Sequence, residues 1–259
     1  MDLLALDTST DRMSVAVGRQ QVTGQQVWSE EAEGGAQASG RLIPLIRALM
    51  AQAGLGFADL DAIVFGRGPG AFTGLRTACA VAQGLALGAR AQRCGAPCLP
   101  VLPLDSLMAV AEQARIVHGR AQPPWDVLAM LDARMDEVYV GSYRWDGMAW
   151  QVLSAPALAR PQDVPFAPGQ VLAGNVFGSY GARLPPASAG ALRIAALPLA
   201  GAMLQLAPML LARGHAVDPA LALPLYIRDK VASTTAERAA DKAAQVALAT
   251  PGAPHGGIA

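Results

Sequence analysis

The chain opens on an unbroken apolar run at residues 3–6, followed by Asp7, a polar turn at residues 8–12 and an alternating segment at residues 13–17. An unbroken run suits a strand covered on both faces, and alternation suits one covered on a single face. A hairpin is therefore predicted, with Asp7 at the tip of its first strand. The pattern returns halfway along. Residues 128–131 are apolar and lead into Asp132, a turn holds Arg134 and Met135, and residues 137–140 lead up to Gly141. Two strand–acid–turn–strand units read as an internal duplication, although unrelated hairpins share the same outline.

Between the units the period changes from two to between three and four. Leu42, Leu45, Ile46, Leu49 and Ala53 fall on one stripe, which predicts a helix over residues 38–53 with Gly54 as its stop. A second helix is predicted over residues 73–87, capped by Thr73. It carries Ala78, Ala80, Ala82, Gly84 and Ala86 beside Leu75, Val81, Leu85 and Leu87, and its only charge is Arg76. A helix apolar almost all round must be covered on every side. Burial within the chain and contact with a partner protein both satisfy that demand.

Further on, Ser106 opens a helix over residues 107–117, and a short strand at residues 171–173 runs into Gly174 and Asn175. Residues 194–212 are uncharged, but Pro198, Gln205 and Pro208 favour a loop plus a buried helix over a membrane span. After Tyr226, Ile227 and Arg228 the apolar pattern stops, so a loose tail is expected from Lys230 onward.

The connection before the second helix is rich in glycine: Gly66, Arg67, Gly68, Pro69, Gly70, Ala71, Phe72, Thr73, Gly74, Leu75 and Arg76 follow the buried strand at residues 62–65. Strand, glycine turn and helix in that order gather backbone N–H groups at a helix N-terminus, a geometry that suits a phosphate or a closely approaching backbone. Pro69 should stiffen the turn and hold Gly68 extended. A GxxxxGK[ST] loop is excluded, because no lysine precedes Lys230. The GxGxxG fingerprint fails too, since Ala71 and Thr73 stand where its last glycine belongs. A tight connection with no ligand accounts for the loop equally well.

Composition narrows the function. With 20 basic and 20 acidic residues in 259, the chain lacks the excess of positive charge on which a self-sufficient nucleic-acid binder depends. Its three cysteines, Cys79, Cys94 and Cys98, form neither a redox pair nor a zinc knuckle, and read as reduced thiols. His118, His215 and His255 lie far apart, so no metal site or general-base arrangement is apparent. The start lacks the basic segment and cleavage site of a signal peptide, which points to a cytoplasmic protein.

Five segments, taken together and in order, resemble the bacterial TsaB (YeaZ) family. They are residues 6–10, residues 66–76, residues 82–86, the Leu131-Asp132-Ala133-Arg134-Met135 segment with Glu137 and Tyr139, and residues 224–228. The likeness covers residues 1–229, and its most specific parts are the glycine loop and the Asp-Ala-Arg-Met turn. It implies an α/β fold of two tandem similar domains of the actin-like ATPase, ribonuclease H-like type, each a mixed sheet flanked by helices. The domains would be residues 1–104 and a reduced 105–229, with 230–259 a flexible tail.

The resemblance implies a function as well. The protein would be a non-catalytic subunit of the complex that makes threonylcarbamoyladenosine on tRNA. It would pair with a TsaD-type catalytic homologue, be joined by a TsaE-type ATPase, and meet tRNA only through the complex. A homodimer through the same surface is a further implication. Partner contacts would come from Leu42, Leu45, Ile46, Leu49, Phe72, Thr73, Leu75, Arg76, Cys79, Ala82, Gln83 and Ala86. Family-motif positions are Asp132, Arg134, Glu137, Tyr139, Tyr226 and Arg228. Asp7, Thr8, Ser9, Gly68 and Gly70 are where a nucleotide would sit if this subunit held one, with Asp7 near its metal. Asp7 as a plain turn residue is the alternative. No cofactor of its own and no metal is expected, and ATP or ADP would sit at the complex interface. Two departures stand out: Gln37, Ala38 and Ser39 replace a common histidine, and Ala78 and Ala80 replace glycines. A small-molecule kinase and a metal-dependent peptidase are the competing readings, the first needing ATP and the second a metal.

Overall fold

A computed structural model describes residues 1–22, 24–92, 98–119 and 122–228. Residues Met1–Ile227 form one compact unit. The tail expected from residue 230, and Cys94, lie outside the described residues.

The first sheet holds β1 (Leu3–Asp7), β2 (Arg12–Gln21), β3 (Gly24–Glu33), β4 (Ala62–Gly68) and β5 (Val101–Asp105) in the order β3-β2-β1-β4-β5. β1 pairs antiparallel with β2 and parallel with β4, so Leu4 lies between Val17 and Ile63. The second sheet holds β6 (Trp125–Arg134), β7 (Glu137–Trp145), β8 (Trp150–Ala159), β9 (Val171–Gly174) and β10 (Arg193–Ala195), ordered β10-β9-β6-β7-β8. Read from β8, this is the strand order of the first sheet again, with the same parallel and antiparallel pairings. The duplication expected from the two hairpins is thus a duplication of whole sheets.

The helices are α1 (Ala38–Ala53), α2 (Phe72–Gln92), α3 (Ser106–His118), the single turn α4 (Phe177–Tyr180) and α5 (Ala200–Ala212). α1 and α2 cover one face of the first sheet, bringing Leu42, Ile46 and Leu49 together with Ala78, Ala82 and Ala86 against Leu4, Leu6, Ile63 and Phe65. α5 covers the other face, over β1 and β2, while α3 packs on β6, β7 and β9. α3 and α5 also pack on each other, and one core runs through both, with Leu107, Ala111, Met203 and Leu206 at its centre. A smaller core on the outer side of the second sheet joins Leu128, Met130, Val138 and Val140 to Val176 and Tyr180.

The sequence-based elements shift in a few places. α2 starts at Phe72, so Thr73 sits in its first turn, where its carbonyl accepts the Thr77 hydroxyl at 2.9 Å, and is not its cap. Gly68 is not extended: its φ is +119°, a region open to glycine. Residues 194–212 form β10, a loop and the buried α5, and no helix among the described residues is long and apolar enough to cross a membrane. Although numbered with the second half, α5 lies on the first sheet, and Val217 pairs with Val101 at that sheet's edge.

Candidate functional site

The glycine loop is filled by the chain's own backbone. A Cβ at Gly74 would overlap the Thr8 carbonyl oxygen, one at Gly70 would overlap Ser9, and one at Gly66 would overlap the Asp7 carboxylate. The two segments are also bonded. Thr8 Oγ1 donates to the Gly74 carbonyl at 2.6 Å, and the Ala71 N–H donates to the Ser9 carbonyl at 2.7 Å. The glycines are therefore required by the close approach of the β1–β2 turn to the start of α2.

Asp7 is 1% exposed. Its Oδ1 accepts from the Ser9 N–H at 2.8 Å and the Ser9 hydroxyl at 2.7 Å, and its Oδ2 from Ser106 Oγ at 3.2 Å. Burial outweighs these three donors and pushes the carboxyl up to about 6. Ser106 opens α3, so Asp7 ties the tip of β1 to the helix that carries the second sheet.

An open cleft of about 760 Å³ lies between the two hairpin tips, with Ser9, Thr10 and Arg12 on one wall and Asp132, Arg134 and Asn175 on the other. Of the residues considered for a nucleotide, Ser9 and Gly70 line it, whereas Asp7, Thr8 and Gly68 do not. Tyr139 reaches the cleft from the buried face of β7. Opposite charges are paired on both walls, Arg12 with Glu31 at 3.6 Å and Arg134 with Asp132 at 3.3 Å. Among the described residues no three His, Cys, Asp or Glu side chains gather into a metal-binding group.

The Asp-Ala-Arg-Met segment forms the far tip. Arg134, Met135 and Asp136 have φ of 61°, 55° and 59°, one turn of left-handed backbone made without glycine. Such residues cost about 1–2 kcal/mol each and persist only where neighbours hold them. Here the Arg134 N–H donates to Asp132 Oδ1 at 2.7 Å, Tyr180 donates to the same oxygen at 3.1 Å, and Arg183 pairs with Asp136 at 2.9 Å. Asn175 accepts the Asp132 N–H at 2.9 Å. Asn175 and Tyr180 thus brace this tip, two contacts that the motif alone did not mark. Glu137 stands opposite Arg134 in the β6–β7 register.

On the helix layer the stripe residues turn inward. Leu42, Ile46, Leu49, Leu75, Cys79, Ala82 and Ala86 are all buried in the chain's own core, and Leu45 is half-buried. Phe72 and Gln83 are half-buried, and Thr73 and Arg76 are exposed. The flank of α2 at Phe72, Arg76, Cys79 and Gln83 is covered by a C-terminal strap. Gln83 donates to the Pro219 and Ala222 carbonyls at 3.0 and 3.1 Å, and the Leu225 N–H donates to the Arg67 carbonyl at 2.7 Å. Arg76 lies 3.9 Å over the Phe72 ring and donates to the Tyr226 hydroxyl at 3.0 Å, and the two rings are 5.0 Å apart. Arg228 is the last described residue. The open face of α2 lies beyond this strap, at Thr73, Ala80, Gly84, Leu87 and Gly88, next to Arg41, Ile43, Pro44 and Arg47 on the open face of α1. A Cβ at Gly84 or Gly88 would meet nothing.

Residues 30–255 match the family described as TsaD, tRNA N6-adenosine threonylcarbamoyltransferase. Among curated proteins, the chain is 31% identical to the Escherichia coli tRNA threonylcarbamoyladenosine biosynthesis protein TsaB, over 90% of this chain and 96% of that one. It is 41% identical to the Haemophilus influenzae protein of the same name, a match spanning about half of each: 54% of this chain and 52% of that one. Among solved structures, YeaZ from Pseudomonas aeruginosa superimposes with a TM-score of 0.74 at 36% identity, over 87% of this chain and 99% of that one. The shared sheet order, the filled glycine loop and the left-handed Asp-Ala-Arg-Met turn thus stand in a chain that belongs to the TsaB (YeaZ) family of tRNA threonylcarbamoyladenosine biosynthesis proteins.

Proposed function

We propose that this chain is a non-catalytic, cytoplasmic subunit of the machinery that makes threonylcarbamoyladenosine on tRNA. It pairs through the open faces of α1 and α2 with a TsaD-type catalytic homologue. A TsaE-type ATPase joins the pair, and tRNA is met only through the assembled complex. A second copy of the chain would use the same face. The observation that carries this reading is the state of the glycine loop, whose place before a helix N-terminus would otherwise suit a phosphate. Its glycines are occupied by the Thr8 and Ser9 backbone, and Asp7 already accepts three hydrogen bonds inside the protein. ATP or ADP in this reading belongs to the complex, since Asp7, Thr8 and Gly68 do not reach the open cleft and only Ser9 and Gly70 line it. The names carried by the Escherichia coli and Haemophilus influenzae relatives support the pathway.

Sedimentation of the purified chain with its TsaD-type homologue tests the pairing, and a heterodimer at micromolar concentration is expected. Calorimetry of the lone chain with ATP and magnesium should show no heat of binding. Tight ATP binding, or turnover by the lone chain, would overturn the reading in favour of a kinase of the same fold.

A further inference from the structure

Tyr143 on β7 is fully buried, and its hydroxyl has no hydrogen-bond partner among the described residues. A buried polar group left this way is costly and calls for a physical reason. The strand beneath it fixes its place. A Cβ at Gly141 would come within 3.0 Å of the Tyr143 oxygen and 3.2 Å of Leu107 Cδ1, so the hydroxyl lies where β7 passes the first turn of α3. Burial pushes this hydroxyl above its ordinary value, the charge of Asp105 pushes it further, and that of Arg67 opposes. Tyr143 thus stands beside an ion pair.

Asp105 occupies the N-cap position of α3, where an aspartate ordinarily accepts from the helix's own N–H groups. Its side chain makes no such bond. Its Oδ1 accepts from Arg67 Nε instead, and the neighbouring Ser106 hydroxyl is given to Asp7 at 3.2 Å. The Asp105 side chain is 15% exposed and that of Arg67 is 40% exposed, so the pair opens to solvent on the arginine side.

We propose that Asp105 is a two-position latch: in one position it holds Arg67 of the glycine loop, and in the other it turns to the Tyr143 hydroxyl and frees the guanidinium. Each position ties the start of α3 to a different element, the first to the end of β4 and the second to β7 of the second sheet. The carboxylate stays bonded in both, and the second gives the hydroxyl the acceptor it lacks. Arg67 is thereby a cation that the fold can release without leaving Asp105 bare.

Urea unfolding of four full chains tests this: wild type, Tyr143→Phe, Arg67→Met and the double variant. In the wild-type background Tyr143→Phe should leave the midpoint unchanged or raise it, because the hydroxyl it removes has no partner. In the Arg67→Met background the same change should lower the folding equilibrium constant about tenfold or more, because Asp105 then loses its remaining donor. A crystal structure of Arg67→Met should show the Asp105 carboxylate within hydrogen-bond distance of the Tyr143 hydroxyl. An equal effect of Tyr143→Phe in both backgrounds overturns the latch. So does a loss from Tyr143→Phe in the wild-type background, which would mean that the hydroxyl is already bonded, to water or to protein. An Arg67→Met chain that fails to fold also overturns it, because Asp105 would then have no second partner to take.

Discussion

Asp7 and Asp132 make the same local bond: each Oδ1 accepts the backbone N–H two residues on, from Ser9 at 2.8 Å and from Arg134 at 2.7 Å. They occupy corresponding places on β1 and β6, so the repetition of sheet order extends to a side-chain contact at the strand tip. Their surroundings have diverged. Asp7 is sealed by Gly66 and Ser106 in the interior, whereas Asp132 lines the cleft beside Arg134. One acid has become a structural tie between sheet and helix, and the other braces a strained turn at an open surface.

That burial gives Asp7 a pH signature. Its carboxyl is raised from 3.8 to about 6, so the folded chain holds this proton more tightly than the unfolded one. Stability from this group is fully present below about pH 4 and is lost as pH rises through 6, an amount of about 3 kcal/mol. Asp7→Asn keeps an acceptor for Ser9 and offers Ser106 a donor in exchange. The variant should melt higher than wild type at pH 8, with the gap closing toward pH 4. Urea titrations at both pH values measure this, and a variant less stable at pH 8 contradicts it.

Close approach at Gly74 predicts a backbone-specific defect. In Gly74→Ala the new methyl would overlap the Thr8 carbonyl oxygen, a backbone atom held by the β1–β2 turn and by the 2.6 Å bond from Thr8 Oγ1. Neither side has a flexible end to move, so a loss of about 2–4 kcal/mol is expected, read as a fall in the urea midpoint. A midpoint within error of wild type would mean that the two segments are not in contact.

The strap depends on Gln83, whose amide nitrogen is shared by the Pro219 and Ala222 carbonyls. Gln83→Ala should cost about 1–2 kcal/mol and speed amide exchange in residues 218–227, leaving β1 and β4 protected. Gln83→Glu should be worse than alanine, because it turns a carboxylate toward two carbonyl oxygens. Equal exchange in all three proteins would show that the strap is held by its apolar contacts.

Much of this was legible in the sequence, and what escaped has physical causes. β1, β4 and β6 are apolar runs covered on both faces and announce themselves, as do α1 and α3. β3 does not: it is an edge strand on which Gln26, Ser29, Glu30 and Glu31 face water, so no alternation marks it. The helix stripes were visible, but a stripe shows which side is apolar and not what covers it. Leu42 and Ala82 turned out to serve the chain's own core, which left the small and charged positions outside. The strap was hidden for a different reason, since Gln83 reaches across 136 and 139 residues to bond carbonyls that carry no side-chain signature.

Two neighbours on α2 separate folding from partnership. Ala82 is 0% exposed, packed within the α1–α2 core against the first sheet. Ala82→Arg would place an unpaired charge there and should unfold the chain outright, a cost above about 4 kcal/mol. Gly84, half a turn away, has an open position for a side chain and a helical backbone suited to one. Gly84→Arg should leave the melting temperature equal to wild type or raise it slightly, since arginine is the better helix former by about 0.5–1 kcal/mol. The same variant should abolish the heterodimer with the TsaD-type homologue, because a long charged side chain then stands where a backbone must approach. Circular dichroism melting and sedimentation on the same samples decide the matter. A folded Gly84→Arg chain that still pairs at micromolar concentration would move the contact off this face of α2.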